Sequence, residues 1–289
     1  MKIIFTNDDY SLTRGFSMGV EDCFKRGLTT STSVRINGTD FERSVNKLKT
    51  TLKRAGIGLH LNITDGPTIG DELADSRGSY KYNFISYLLF YIFGIKKLDK
   101  KILREFENQY ETLRKKGIRP DHADSQDHIH MIPSIFELTC KFCIKHKITS
   151  LRLVNEPYFK SSTIPSFTSV LKFLLLNYFS RINRKIAKKY KLKIPDAFYG
   201  LMHTNNMTSK IIRESISDAL KRKFEVIEVV SHPAYINQDD ICYTSRFIGD
   251  YSNLANRVVE MKALLNRGLK SWVVRKKGLE KATFKDLVA

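Results

Sequence analysis

The sequence predicts an α/β fold in which consecutive βα units feed one parallel sheet, and three observations point there. Short β-branched or aromatic runs alternate with longer segments of helical period, the early strands end in polar residues, and no linker rich in Pro, Gly or Ser divides the 289 residues. One large α/β barrel and two smaller domains are both allowed at that length, so length does not choose.

The first run, Lys2 to Thr6, breaks at Asn7-Asp8-Asp9, the pattern of a buried strand that delivers polar groups at its end. A helix follows from about Phe16 to Arg26, stopped by Gly27. Ser31 to Ile36 reads as the second strand, Asp40 to Lys53 as the second helix, and Ile57 to Leu61 as the third strand, which ends at Asn62 and Thr64. Leu98 to Lys116 is charged and helical in period, and Gly117-Ile118-Arg119-Pro120 stops it before the polar stretch Asp121 to His130. Ser150 to Val154 and Val226 to Val230 are further strands, with helices around Thr208 to Arg222 and Asn253 to Asn266. Two apolar, aromatic stretches, Phe84 to Ile95 and Thr168 to Phe179, fit insertions at about 84–97 and 160–195 that pack on the sheet; a basic run, Arg181 to Lys193, follows the second. The alternative is an amphipathic surface that touches lipid or a lipid-linked substrate.

Composition narrows the class of partner. Forty-nine Lys plus Arg against thirty Asp plus Glu give a net charge of +19, which favours nucleic acid, anionic lipid or an acidic glycan. No established nucleic-acid module is recognisable, so nucleic acid is not expected as a partner. Met1 leads directly into the first strand, and the longest apolar run, broken by Ser86 and Gly94, falls short of the roughly 20 residues that span a bilayer. The expectation is a cytoplasmic protein, with peripheral membrane contact left open. Four cysteines and no export signal argue for reduced thiols. Cys140, Cys143 and His146 have the spacing of a zinc half-site, but a second pair is missing, and residues three apart on a helix read as small buried side chains.

Of seven histidines, His122, His128 and His130 fall within nine positions and His60 stands near the end of a strand. If Asp124 to His130 is extended, period two sets Asp124, Gln126, His128 and His130 on one face, a set costly to bury without a purpose. The adjacent carboxylates Asp8 and Asp9 point in different directions, so one can bind a cation while the other acts as a base; a helix-capping pair is the alternative.

Five ordered motifs carry a resemblance: Phe5-Thr6-Asn7-Asp8-Asp9-Tyr10, Gly27-Leu28-Thr29-Thr30-Ser31-Thr32-Ser33, Gly58-Leu59-His60-Leu61-Asn62, His122 through His130, and Ser231-His232-Pro233-Ala234-Tyr235. From Lys2 to about Gly268 the chain resembles the YdjC-like carbohydrate deacetylases, which include the chitooligosaccharide deacetylases. The resemblance implies an irregular TIM-barrel-like (β/α) barrel, a single domain over 1–289 with helical insertions. It implies hydrolysis of an N-acetyl group on an amino sugar or glycan, with a divalent metal (Mg, Zn, Mn or Co) held by an Asp and two His. On that basis Asp9 and His60 are metal ligands, Asp8 is the general base, Arg152 orients or charge-balances it, and His232 is the acid that protonates the departing amine.

Two departures from the family pattern stand out. Gln126 occupies the place of the third ligand His, where an amide oxygen donates more weakly and leans toward harder cations; His128, on the same predicted face, is the substitute ligand. Ser11 stands where the first motif normally has Gly, which implies an altered turn. Asp124, His130 and Asn62 complete the predicted site as substrate-contacting residues. The second reading is a non-catalytic glycan-binding relative with a degraded metal site. Oligomeric state is not readable, and a homodimer is compatible with the sequence.

Overall fold

Ile3, Ile4 and Phe5 are wholly buried although they point alternately to opposite faces, the mark of a parallel strand covered on both sides. That strand, β1 (Lys2–Tyr10), lies at the centre of the sheet in the computed structural model, which describes residues 1–237, 241–242 and 254–287. Along the chain follow α1 (Arg14–Arg26), β2 (Ser31–Val34), α2 (Phe41–Lys49), β3 (Gly56–Leu61), α3 (Phe84–Ile92), α4 (Asp99–Lys115) and β4 (His122–Ser125). Then come α5 (Pro133–Lys145), β5 (Ser150–Leu151), α6 (Phe167–Lys189), β6 (Ala197–Tyr199), α7 (Ser209–Lys221) and β7 (Val226–Ser231). Towards the C-terminus, α8 (Leu254–Leu264), α9 (Arg267–Arg275) and β8 (Glu280–Ala282) complete the order.

The named strands pair in parallel in the order β5-β4-β3-β2-β1-β7-β6, and the sheet curls into a half-barrel. β7 runs along one edge of β1 from Lys2 to Asn7. The other edge is divided: β8 pairs with Lys2 to Ile4, and β2 takes over at Thr6. The connecting helices lay apolar faces on the sheet. In α1 these are Phe16, Val20 and Cys23, spaced to share one side of the helix; in α4 they are Ile102, Phe106 and Leu113.

Most expected elements are present with shifted ends, and two expectations need correction. Ser150 to Val154 is a strand only over its first two residues; Arg152 still donates its backbone N–H to Ala123 O before the chain leaves β4. The extended reading of Asp124 to His130 fails, because β4 ends at Ser125 and Gln126–Met131 coil into a 3-10 segment with Asp127 and His128 at φ of +53° and +58°. The Ser125 side-chain oxygen accepts the His130 backbone N–H at 3.0 Å, a local bond that competes with continuing the strand. β6 and β8 are too short to stand out in the sequence. Asn253, the expected start of α8, lies outside the described residues.

Both apolar stretches form helices with one buried and one exposed side. Tyr87 of α3 and Leu176, Phe179 and Ala187 of α6 are buried against the core, and Tyr91 meets Phe179 edge-on at 5.7 Å, while the outer faces of both helices stay exposed. Cys140 and Cys143 are buried thiols on α5. Burial pushes Cys140 up to about 12, and His146 pairs instead with Glu107 at 2.8 Å.

One turn sets the mouth of the sheet. Thr39 N donates to Leu12 O and Asp40 N to Ser11 O, so the loop after β2 clasps the loop after β1. A Cβ on Gly38 would lie 1.9 Å from Ser11 O. Gly38→Ala is therefore expected to destabilise the fold by about 3 kcal/mol, measured by urea unfolding. Unchanged stability would show that the clasp is dispensable.

Candidate active site

The polar strand ends meet inside the curl. β1 carries Asp8 and Asp9, β3 carries His60 in register with Asp124 on β4, Arg152 follows β5, Glu228 lies on β7 and His232 follows it. The register of β1 against β2 slips between Asn7 and Tyr10, with Asp9 at φ +63° and Ser11 at φ +80°. That kink sends neighbouring carboxylates to different partners, Asp8 to Arg152 and Asp9 to Arg35. The second motif supports it with hydroxyls: Thr29 Oγ1 donates to Asn7 Oδ1 at 2.5 Å, Thr32 Oγ1 to Asn7 O at 2.7 Å and Ser33 Oγ to Asp8 Oδ1 at 3.2 Å.

Arg152 is wholly buried among carboxylates. It donates to both Asp8 oxygens at 2.7 Å and to Glu228 at 2.8 to 3.2 Å, and it lies 2.9 Å from Asp124 Oδ2 in an ion-pair contact without hydrogen-bond geometry. Burial opposes the charge on Asp8, but Arg152 outweighs it and holds the carboxyl far below the usual range. Asp124 is lowered in the same way, whereas burial, with Asp8 and Asp124 nearby, leaves Glu228 raised.

His60 joins the two halves of the site. Its Nδ1 meets Asp124 Oδ1 at 2.9 Å and Ser33 Oγ at 3.1 Å; its Nε2 faces Gln126 Oε1 at 3.3 Å and Asp9 Oδ1 at 3.8 Å. Burial opposes charging the ring, yet Asp124, Asp8 and Asp9 prevail and push His60 up to about 9. Gln126 Nε2 donates to Asp65 Oδ2 at 2.9 Å, so its oxygen is the atom turned toward His60. Arg35, wholly buried, reaches Asp9 at 3.3 Å and also pairs with Asp65. Asp8, His60 and Asp124 offer atoms within 4.8 Å of one another, a group that could hold an ion.

Asp8, Asp9, His60, Gln126, His128 and His232 all line one cavity of about 300 Å³, with Leu12, Phe16 and Leu254 as an apolar wall and Lys172 and Arg257 as cationic side chains. His232 Nε2 lies 3.9 Å from Asp8 Oδ2. Behind it the buried Glu260 accepts the His232 backbone N–H at 2.6 Å and lies 3.4 Å from Nδ1. His128 stands apart from His60: its ring sits edge-on to Phe198 at 5.6 Å, and burial with nearby Lys172 holds it neutral.

The three predicted substrate contacts are not at the cavity wall. His130 is wholly buried, its Nδ1 on Ser125 Oγ at 2.5 Å and its Nε2 near Arg152 O at 3.2 Å, and burial pushes it down to about 3. Asp124 orients His60. Asn62 caps a turn, its Oδ1 accepting from Thr64 N at 3.0 Å and its Nδ2 donating to Asp65 O at 2.7 Å. Sequence reading overlooked Arg35, Asp65, Glu228 and Glu260. The first and third carried a signal, a charged residue inside an otherwise buried strand run; Asp65 and Glu260 carried none.

Comparison with known proteins agrees with this architecture. Residues 2–275 match the family described as YdjC-like protein, and the chain belongs to that family. It is 25% identical to a carbohydrate deacetylase of Clostridium beijerinckii over 99% of this chain and 100% of that one. It is 23% identical to a chitooligosaccharide deacetylase of Proteus mirabilis, over 99% and 98% of the two chains. Its fold matches a crystal structure from Enterococcus faecalis, provisionally named for cellobiose-phosphate cleavage, with TM-score 0.75 and 20% identity over 99% of this chain and 98% of that one.

Two consequences are measurable. Arg152→Met leaves three carboxylates buried without their counter-charge, and a loss of about 3–5 kcal/mol is expected, larger at pH 8 than at pH 5 because protonation relieves the repulsion. Equal unfolding free energies of variant and parent at pH 8 would refute this role. Glu156, which accepts backbone N–H groups of Gly200 and Met202 beside the cavity wall at Thr204, is pushed by burial up to about 7. Since the folded value is above the unfolded one, its contribution is full below the ordinary carboxylate range and is lost as pH rises through about 7. Thermal midpoints measured between pH 5 and pH 8 should fall more steeply for the parent than for Glu156→Gln, by the equivalent of up to about 3 kcal/mol.

Proposed function

We infer that the protein is a metal-dependent deacetylase that hydrolyses the N-acetyl group of an amino sugar. The carrying observation is the convergence of Asp9 Oδ1 and Gln126 Oε1 on His60 Nε2, with the Gln126 amide nitrogen tied back to Asp65. The carbohydrate and chitooligosaccharide deacetylases among the relatives support the substrate class.

The donor set fits a divalent cation. Among the described residues Asp8, Asp9, Asp124 and Glu228 face the buried guanidiniums Arg35 and Arg152, with the less buried Arg257 acting on Asp9, and the carboxylates around His60 draw a proton onto it. Asp9, His60 and Gln126 are the residues that would hold the ion, a carboxylate, an imidazole and an amide oxygen. Asp8 and Asp124, also close to His60, are already engaged by Arg152, whose charge repels a second cation on that side; Asp124 serves to fix the His60 ring. When bound, the cation polarises the acetyl carbonyl and acidifies water at the site.

The protein groups supply the rest. Arg152 holds Asp8 ionised and oriented toward the cavity, ready to accept a proton from the attacking water. His232, within 3.9 Å of Asp8, is placed to receive that proton and deliver it to the departing amine nitrogen. Glu260 anchors the His232 backbone N–H and places its charge 3.4 Å from Nδ1. Leu12, Phe16 and Leu254 give an apolar wall for the acetyl group and sugar face.

Acetate release from N-acetylglucosamine oligomers, assayed with added zinc, manganese, cobalt or magnesium, tests the reading; no turnover with any of them overturns it. His232→Ala is expected to lower kcat by about 10²- to 10⁴-fold with metal content unchanged. Asp9→Asn and His60→Ala should each lose the bound ion, read by elemental analysis. Gln126→His should raise zinc affinity by at least about tenfold. A parent protein that binds glycan without turnover, and gains activity on Gln126→His, would favour the glycan-binding alternative.

A further inference from the structure

The catalytic reading does not account for the outer faces of α3 and α6. Ten of the eighteen large exposed hydrophobic side chains among the described residues fall in two short stretches, 85–95 and 164–178, too concentrated for ordinary surface scatter. On α6 the outward line is Phe167, Leu171, Leu174 and Tyr178, spaced four, three and four apart so that they share one face. The same line continues as Arg181, Lys185 and Lys188, all exposed. α3 repeats the pattern: Ile85, Leu89, Ile92 and Phe93 are exposed, and Lys96 and Lys97 follow. Neither 82–98 nor 157–195 contains an Asp or Glu.

Position gives the face its meaning. The Tyr91 to Phe179 ring contact sets the two helices side by side. Lys172 of α6 lines the candidate active site and also a second cavity, bounded by Ile164, Pro165 and Ser166, which shares Thr204 and Asn205 with the first. The apolar line therefore begins beside the opening of the site.

We propose that α3 and α6 form a docking face for an anionic phospholipid bilayer, which brings the site against the membrane so that the N-acetylated sugar it takes is carried on a lipid. The exposed apolar side chains enter the interfacial region and the basic side chains that follow them meet phosphate headgroups. Charge complementarity selects this occupant: a face without a single acidic residue, on a chain of net charge +19, repels a second copy of itself and attracts an anionic surface. Among the described residues no helix is long and apolar enough to cross a membrane, so the helices lie on the surface rather than span it. The docking half stands without the deacetylase reading; the lipid-linked substrate rests on it.

Co-sedimentation of the full chain with vesicles of phosphatidylcholine containing about one-third phosphatidylglycerol tests the docking. Binding is expected at low salt, at least about tenfold weaker to phosphatidylcholine alone, and weaker as salt rises. Leu171→Glu with Leu174→Glu, and separately Ile92→Glu with Phe93→Glu, should each weaken vesicle binding by at least about tenfold while leaving thermal midpoint and acetate release from soluble oligomers unchanged. No sedimentation at low salt overturns the proposal, as does binding that neither pair of substitutions weakens. A dimer in sedimentation velocity that the same substitutions dissociate would instead assign the face to a second copy. Vesicle binding without acetate release from any substrate would leave the docking standing and remove the deacetylase reading and the lipid-linked substrate with it.

Discussion

One guanidinium holds this structure together. Arg152 leaves β5, the strand at one edge of the sheet path, and reaches Asp8 on β1, Asp124 on β4 and Glu228 on β7. A flat sheet would keep β5 and β7 far apart, so the contact requires the curl, and the curl in turn encloses the charges. Buried ion pairs contribute little net stability when compared with well-packed apolar groups, but removing one partner from such a cluster is costly. The arrangement is better understood as fixing geometry: every group proposed to act lies within three contacts of Arg152.

Backbone strain gathers in the same place. Asp9, Ser11, Asp127 and His128 are four of the eight non-glycine residues with positive φ among the described residues, and they sit at the ends of β1 and β4. Each is over-determined by its neighbours. Ser11 occupies a position where glycine would be free of strain, and its hydroxyl accepts from Ser44 Oγ at 2.8 Å while its carbonyl accepts from Asp40 N, so the turn survives the exchange. The left-handed Asp127 and His128 turn the chain sharply after Gln126, which leaves Gln126 facing His60 and carries His128 away from it.

α6 serves the site from both sides. Its inner face supplies Asn183, whose Nδ2 donates to Met131 O at 2.7 Å and braces the 3-10 segment, and Lys172 reaches the cavity. Its outer face has no counterpart among the described residues. An insertion that both braces the 3-10 segment and presents an apolar and basic surface links the proposed docking face to the candidate site.

By itself the sequence determined the βα alternation, the parallel sheet and the five motifs that meet at the strand ends, because periodicity and turn residues are local and are written in consecutive positions. Asp8, Asp9 and His60 were legible for that reason, whereas Arg152 and His232 were marked only by the resemblance to the family. What only the tertiary structure decided is which atoms face each other. Local spacing placed Gln126, His128 and His130 on one face, but a serine hydroxyl ended the strand first and sent them to a position facing His60, a cavity wall and a buried brace. Glu228 and Glu260 lie 76 and 28 residues from the residues they hold, Arg152 and His232. Partners that distant are chosen by the folding of the sheet, and no short-range pattern records them.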